Sequence, residues 1–197
     1  MGQLRFVTSG ESHGPALTAI LDGMPAGLRV TREAIDVQLA RRQQGYGRGD
    51  RMKIETDRAL VLSGLRFGET LGSPITLQVV NRDFANWTER MDAFGAPAGP
   101  KVTAVRPGHA DLSGVLKYDR QDARDILERS SARETTMRVA VGAVCRQLLA
   151  ALGVTVASHV TEIGGVTVDS ARVRVEDIGV TNSSDLNVCD PQAEERM

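Results

Sequence analysis

Ser131-Ala132-Arg133-Glu134-Thr135-Thr136-Met137-Arg138-Val139-Ala140-Val141-Gly142-Ala143-Val144-Cys145-Arg146-Gln147-Leu148 is the stretch on which the architecture of this chain turns. Ser131 and Glu134 have the Ser-x-x-Glu spacing of a capping box, in which each side chain bonds the other's backbone N–H at a helix start. Met137, Val141, Val144 and Leu148 recur at helical spacing and form one apolar stripe, so the stretch predicts a helix with one face in the core. Gly153 stands where helices commonly end on a glycine. Arg129, Ser130, Ser131, Arg133 and, a turn further on, Arg138 surround the start of this helix. There the unsatisfied N–H groups, the helix dipole and the arginines all favour an anion. Ordinary capping accounts for Ser131 and Glu134 but not for the arginines.

Outward from this helix the pattern changes period. Leu4 to Thr8, Ala16 to Leu21, Leu60 to Leu62 and Ile75 to Val80 are short β-prone runs broken by glycine turns, which predicts an antiparallel sheet. Thr31 is placed to cap a second helix reaching about Gln43, with Ile35 and Leu39 four residues apart on one face. Val154 to Val168 alternates enough for a further strand; His159 lies in it and is assigned no role. Asn81 to Pro100, rich in small and turn-forming residues, reads as a long mobile loop anchored by Trp87. Asp190-Pro191 announces a helix that Met197 interrupts, so the chain is expected to be part of a longer protein.

The connecting segments carry the chemistry. Arg41-Arg42-Gln43-Gln44-Gly45-Tyr46-Gly47-Arg48-Gly49-Asp50-Arg51-Met52 alternates glycine with guanidinium forks suited to bidentate contact with phosphate or carboxylate. A solvated basic turn would read the same way. Ser9-Gly10-Glu11-Ser12-His13-Gly14-Pro15 sets a histidine on a rigid turn between two strands, and Arg106-Pro107-Gly108-His109-Ala110-Asp111 sets another beside an arginine and a carboxylate. A histidine so framed suits acid–base work, and equally suits a merely hydrogen-bonded turn.

Composition removes other classes. A net charge of −1 and 4% aromatic residues leave neither the broad basic face nor the stacking platforms of a nucleic-acid binder. No apolar run approaches the roughly 20 residues that span a bilayer, and the start lacks the features of a signal peptide, which points to the cytoplasm. Cys145 and Cys189 have no metal-site spacing and read as ordinary thiols. A phosphatase or kinase is disfavoured, because there is no Walker loop, metal-ligand carboxylate cluster or nucleophile motif.

Five motifs, taken in order, resemble the signatures of the chorismate synthase family. They are Gly10-Glu11-Ser12-His13-Gly14, the Arg42 to Met52 loop, Gly72-Ser73-Pro74-Ile75, Arg106 to Asp111, and Arg129-Ser130-Ser131-Ala132-Arg133-Glu134-Thr135. The resemblance covers residues 1–197 and implies the N-terminal part of an α+β protein, a β-α-β sandwich with helices between two antiparallel sheets, assembled as a homotetramer. It implies anti-1,4-elimination of phosphate from 5-enolpyruvylshikimate 3-phosphate to give chorismate, with reduced FMN, NADPH as a source of reducing equivalents, and a separate or fused flavin reductase. His13 would protonate the departing phosphate and His109 would protonate or stabilise the flavin. Ser12, Arg42, Arg48, Arg51, Arg106 and Arg133 would hold substrate, and Arg129, Ser130 and Ser131 would contact FMN. Arg42 and Arg48 are also the positions associated with the nicotinamide nucleotide. The alternative is a non-catalytic anion-binding or assembly piece.

Overall fold

A computed structural model describes residues 3–47, 55–174, 176–178 and 184–197. Four strands, β1 (Arg5–Ser9), β2 (Ala16–Asp22), β3 (Leu60–Ser63) and β6 (Ile75–Val80), form an antiparallel sheet in the order β1-β2-β6-β3. β1 meets β2 with Val7 opposite Ile20, and β2 meets β6 with Ala19 opposite Leu77. Between β3 and β6 lies a short hairpin, β4 (Leu65–Arg66) with β5 (Glu69–Thr70). Gly64 makes this corner possible: its φ is +81°, and a Cβ there would sit 2.7 Å from the Ile75 Cα.

Period-2 alternation decides which face is covered. Leu17, Ala19 and Leu21 of β2 and Ile75, Leu77 and Val79 of β6 point to one side and are buried. Onto them pack two helices, α1 (Arg32–Gln43) and α4 (Thr135–Ala151), through Ile35, Leu39, Met137, Val141 and Val144, with Ala140 and Ala143 allowing close approach. Burying each large apolar side chain is worth about 1.5–3 kcal/mol, so this two-layer core outweighs any single cap. On the opposite face Val7, Ile20, Leu60, Leu62 and Val80 remain exposed. Among the described residues the four-stranded sheet thus carries helices on one side, the mixed helix and antiparallel sheet of an α+β chain.

Thr31 caps α1 as expected, its side chain accepting from the Ala34 N–H, while its own N–H donates to Gln147 on α4. α4 ends as its glycine predicts. The Val154 N–H bonds the Leu149 carbonyl and the Gly153 N–H bonds that of Ala150, with Gly153 at φ +75°. This is the Schellman arrangement. Two short helices, α2 (Asp111–Tyr118) and α3 (Arg124–Ser130), lie between β6 and α4, and α5 (Pro191–Arg196) is capped by Asp190, whose carboxylate accepts from Gln192 and Ala193. No helix among the described residues is long and apolar enough to cross a membrane.

Three local expectations are corrected. The capping box does not form: Ser131 accepts from the Arg133 N–H, capping a 3-10 turn (Ala132–Glu134), and α4 starts only at Thr135. Glu134 turns instead to the Thr8 hydroxyl, 2.6 Å away, and to Arg138 at 2.9 Å. Arg129 and Ser130 consequently belong to the last turn of α3, not to the N-terminus of α4. Val154 to Val168 is no continuous strand. Among the described residues its strand pairing is confined to a short hairpin, β7 (Glu162–Ile163) with β8 (Val166–Thr167). The segment from Asn81 opens with a 3-10 turn at Arg82–Asn86 that delivers Trp87.

Candidate active site

The His13 turn is built by tertiary contacts. Gly10, at φ +102°, lets the chain leave β1 so closely that a Cβ would sit 2.4 Å from the Ala16 carbonyl oxygen. Asn81 then clamps the turn, its side-chain amide donating to the carbonyls of Gly14 (2.8 Å) and Glu11 (3.1 Å) and its backbone N–H donating to Pro15. From the other side comes α3. The buried Ser12 donates its N–H to the Glu128 carbonyl, and the Glu128 carboxylate accepts from the His13 N–H at 3.0 Å and lies 2.7 Å from His13 Nδ1. The imidazole packs on Trp87 with centroids 4.1 Å apart, and Asp83 lies 3.8 Å from Nε2. Burial works to raise the Glu128 carboxyl, but the hydrogen bonds and charge of His13, joined by Arg124, outweigh it and hold the group below its ordinary range.

The second histidine turn is organised by Asp111, the first residue of α2, which is fully buried. Arg106 grips this carboxylate with Nε at 2.9 Å, Nη2 at 3.2 Å and its backbone N–H at 3.1 Å, and His109 Nδ1 contacts it as well. The Arg106 hydrogen bonds, against the effect of burial and with help from His109, hold Asp111 well below the usual carboxylate range. Reciprocally Asp111 raises Arg106, and the charge of Glu128 adds to this.

The His13 turn and the segment leading to the second turn are both referred to α3. The first is fixed by Glu128 in its last turn; the segment before the second is fixed at its start, where the Ala123 N–H donates to Val102 and Asp122 accepts from the Val102 N–H. α2 is pressed against α3 at Gly114, where a Cβ would lie 2.3 Å from Ile126 Cγ2.

The arginines divide. Arg133 is turned inward, its Nη1 on Asp57, its Nε donating to the side-chain Oδ1 of Asn81 at 3.0 Å, and its Nη2 3.5 Å from Glu55. It braces the His13 turn from beneath. Arg42 leaves the end of α1 to bond the Thr135 hydroxyl (3.1 Å), the Ala132 carbonyl (3.0 Å) and, at 3.4 Å, Asp57. Arg129 donates to the Thr8 carbonyl and hydroxyl, while its Nη1 is buried with no hydrogen-bond partner among the described residues. Ser130 is exposed and Ser131 caps the 3-10 turn. Arg48 and Arg51 lie outside the described residues.

Two open pockets lie elsewhere. One of about 380 Å³ separates α1 from α4 and Val154 to Val156; the other, of about 370 Å³, is bordered by Arg41, Arg42, His159 and Asn187. Neither is lined by His13 or His109. Sequence reasoning missed Glu128, Asp57 and Asn81 altogether. Only Glu128 left a signal, its i,i+4 spacing from Arg124.

Comparison with known proteins bears on this geometry. A family model described as chorismate synthase matches residues 4–197. The chain is 57% identical over 194 residues to chorismate synthase of Trichlorobacter lovleyi, covering 97% of this chain and 50% of that protein. It is 54% identical over 197 residues to the Geobacter sulfurreducens protein of the same name, covering 98% and 50%. A crystal structure of chorismate synthase superposes with a TM-score of 0.76 at 40% identity, covering 98% of this chain and 51% of that one. The chain spans about half the length of the relatives it matches. On the strength of this match along nearly all its length, and of a fold that agrees with it, the chain belongs to the chorismate synthase family.

Proposed function

We propose that the full-length protein eliminates phosphate from 5-enolpyruvylshikimate 3-phosphate in an anti-1,4 sense to give chorismate, with reduced FMN as cofactor and NADPH as a source of its electrons. The observation that supports this most is the anchorage of the His13 turn on Glu128 of α3, with the segment before the His109 turn bonded at the residues just ahead of that helix and Arg129 in its last turn. His13, fixed by Glu128 and Trp87, delivers a proton to the departing phosphate oxygen. His109, fixed by Asp111 and Arg106, serves the flavin.

Arg42, Arg48, Arg51 and Arg106, with Ser12 beside His13, hold the phosphate and two carboxylates of the substrate, because guanidinium forks match such groups bidentately. Arg133 supports them from inside through Asp57. Arg129, Ser130 and Ser131 fit the flavin phosphate, and the buried Nη1 of Arg129 is a donor such an anion satisfies. When bound, the reduced flavin supplies an electron-rich ring that assists loss of phosphate without net oxidation. Arg42 and Arg48 also take the nicotinamide nucleotide, and a homotetramer in the cytoplasm served by a flavin reductase completes the reading.

The test is to supply the full-length protein with the substrate and chemically reduced FMN and to follow phosphate release and chorismate formation. Equal formation of both supports the assignment. Absence of phosphate release by a folded protein with flavin bound would sink it.

A further inference from the structure

His13 is held by a group that no sequence motif announces. Of the two carboxylates that pair with its ring among the described residues, Asp83 lies 3.8 Å from Nε2, while Glu128 lies 2.7 Å from Nδ1 and also accepts the His13 backbone N–H. An ionised carboxylate has no hydrogen to give, so the hydrogen between Glu128 and Nδ1 must belong to the ring. Glu128 is kept in that state by its surroundings, which favour the ionised form. Arg124 completes the arrangement: its Nη1 donates to the second oxygen of Glu128 at 2.7 Å, and its guanidinium carbon lies 4.9 Å from the centre of the Trp87 ring on which His13 packs. The imidazole is therefore held in its plane by Trp87 and within that plane by Glu128, and Arg124 touches both.

We propose that Glu128 is the positioning residue that fixes the tautomer of His13, keeping hydrogen on Nδ1 so that Nε2 is the nitrogen that transfers the proton; this rests on the proposed elimination. In the step itself the C–O bond to phosphate breaks, its electron pair stays on the phosphate oxygen, and that oxygen takes the proton from Nε2 of the imidazolium. The neutral ring left behind carries its hydrogen on Nδ1, which is the tautomer that Glu128 stabilises. The carboxylate thus decides which nitrogen gives up the proton and which neutral tautomer remains afterwards.

The experiment compares full-length wild type, Glu128→Gln and Glu128→Asp in steady-state kinetics, together with hydrogen–nitrogen correlation spectra of histidine-labelled protein. In Glu128→Gln, kcat is expected to fall about 100-fold, the low end of what a positioned proton donor contributes. KM should stay within about threefold, because substrate contacts are untouched. Glu128→Asp, which keeps the charge, should recover part of the loss. In the spectra, neutral His13 should carry its hydrogen on Nδ1 in wild type and lose that preference in Glu128→Gln. A folded Glu128→Gln protein with kcat within about twofold of wild type would overturn the proposal. So would a wild-type spectrum showing neutral His13 protonated on Nε2, a measurement that decides the matter even if Glu128→Gln fails to fold. A wild-type protein that releases no phosphate while showing the Nδ1–H form would refute the elimination and leave the Glu128–His13 coupling standing.

Discussion

Arg133 Nη1 lies 2.7 and 2.8 Å from the two carboxylate oxygens of Asp57, and the two side chains are only 5% and 1% exposed. A buried pair of this kind contributes little beyond what apolar residues would, yet removing one partner strands the other charge. Arg133→Met should therefore cost about 3–5 kcal/mol of stability. Asp57→Asn should cost less, because Glu55 still faces the guanidinium. Denaturant unfolding of the full-length protein checks both, and an Arg133→Met midpoint equal to wild type would show that the pair is not essential.

Arg106 reaches Asp111 with two atoms of its planar fork. Lysine keeps the charge but not the fork, so Arg106→Lys should leave His109 less well oriented and lower kcat/KM by about 1–3 kcal/mol of transition-state stabilisation. Steady-state kinetics decide this. Unchanged kcat/KM would mean that Asp111 alone suffices.

Asp111 titrates lower in the folded protein than in the unfolded chain. A depressed carboxylate contributes stability that is fully present above the unfolded value of about 3.9 and is lost as pH falls toward the folded one. Glu128 and Glu134 are shifted in the same direction. Unfolding free energy should then drop steeply as pH falls below about 5, and Asp111→Asn should flatten that slope while lowering stability at pH about 7. A slope unaltered by the substitution would assign the acid sensitivity to other groups.

Gly114→Ala gives a prediction whose sign runs against helix propensity. Alanine in a helix interior ordinarily stabilises by about 0.5–1 kcal/mol relative to glycine. Here its Cβ would stand 2.3 Å from Ile126 Cγ2, so α2 and α3 must separate, at about 1–3 kcal/mol. Thermal unfolding should show Gly114→Ala destabilised and Gly114→Ala/Ile126→Ala partly restored relative to Ile126→Ala alone. A raised midpoint for Gly114→Ala would contradict the packing.

Residues 1–197 expressed alone should bind FMN weakly and form no chorismate. The chain spans about half the length of its relatives and carries one proposed flavin-contact region, Arg129 to Ser131. An exposed charge contact contributes about 0.2–1 kcal/mol, against roughly 8 kcal/mol for micromolar binding. Flavin fluorescence titration together with an assay using reduced flavin measures both. Micromolar affinity or turnover would show that these residues suffice.

Much of the fold was legible because its signals are local. Thr31 capping α1, Gly153 closing α4 and Asp190 preceding Pro191 each depend on neighbours a few residues away, and the strand pair Ala16–Asp22 and Ile75–Val80 shows its period directly. The Ser131–Glu134 box misled for the same reason. Its spacing is local, but the glutamate is drawn away by Thr8, 126 residues distant, and Arg138.

The sequence by itself determined the main strands and the two long helices, the apolar faces that form the core, the two rigid histidine turns and the family, because hydrophobic period, turn chemistry and motif spacing are properties of the chain read along its length; it did not announce α2 and α3. Only the tertiary structure decided which groups serve those turns. Glu128 beneath His13, Asn81 across the same turn, Arg133 turned from solvent onto Asp57 and Gly114 against Ile126 are all pairings between different elements. Desolvation and hydrogen-bond strength there depend on distances that exist only after the sheet has formed and the helices have packed on it, and no local pattern carries that information.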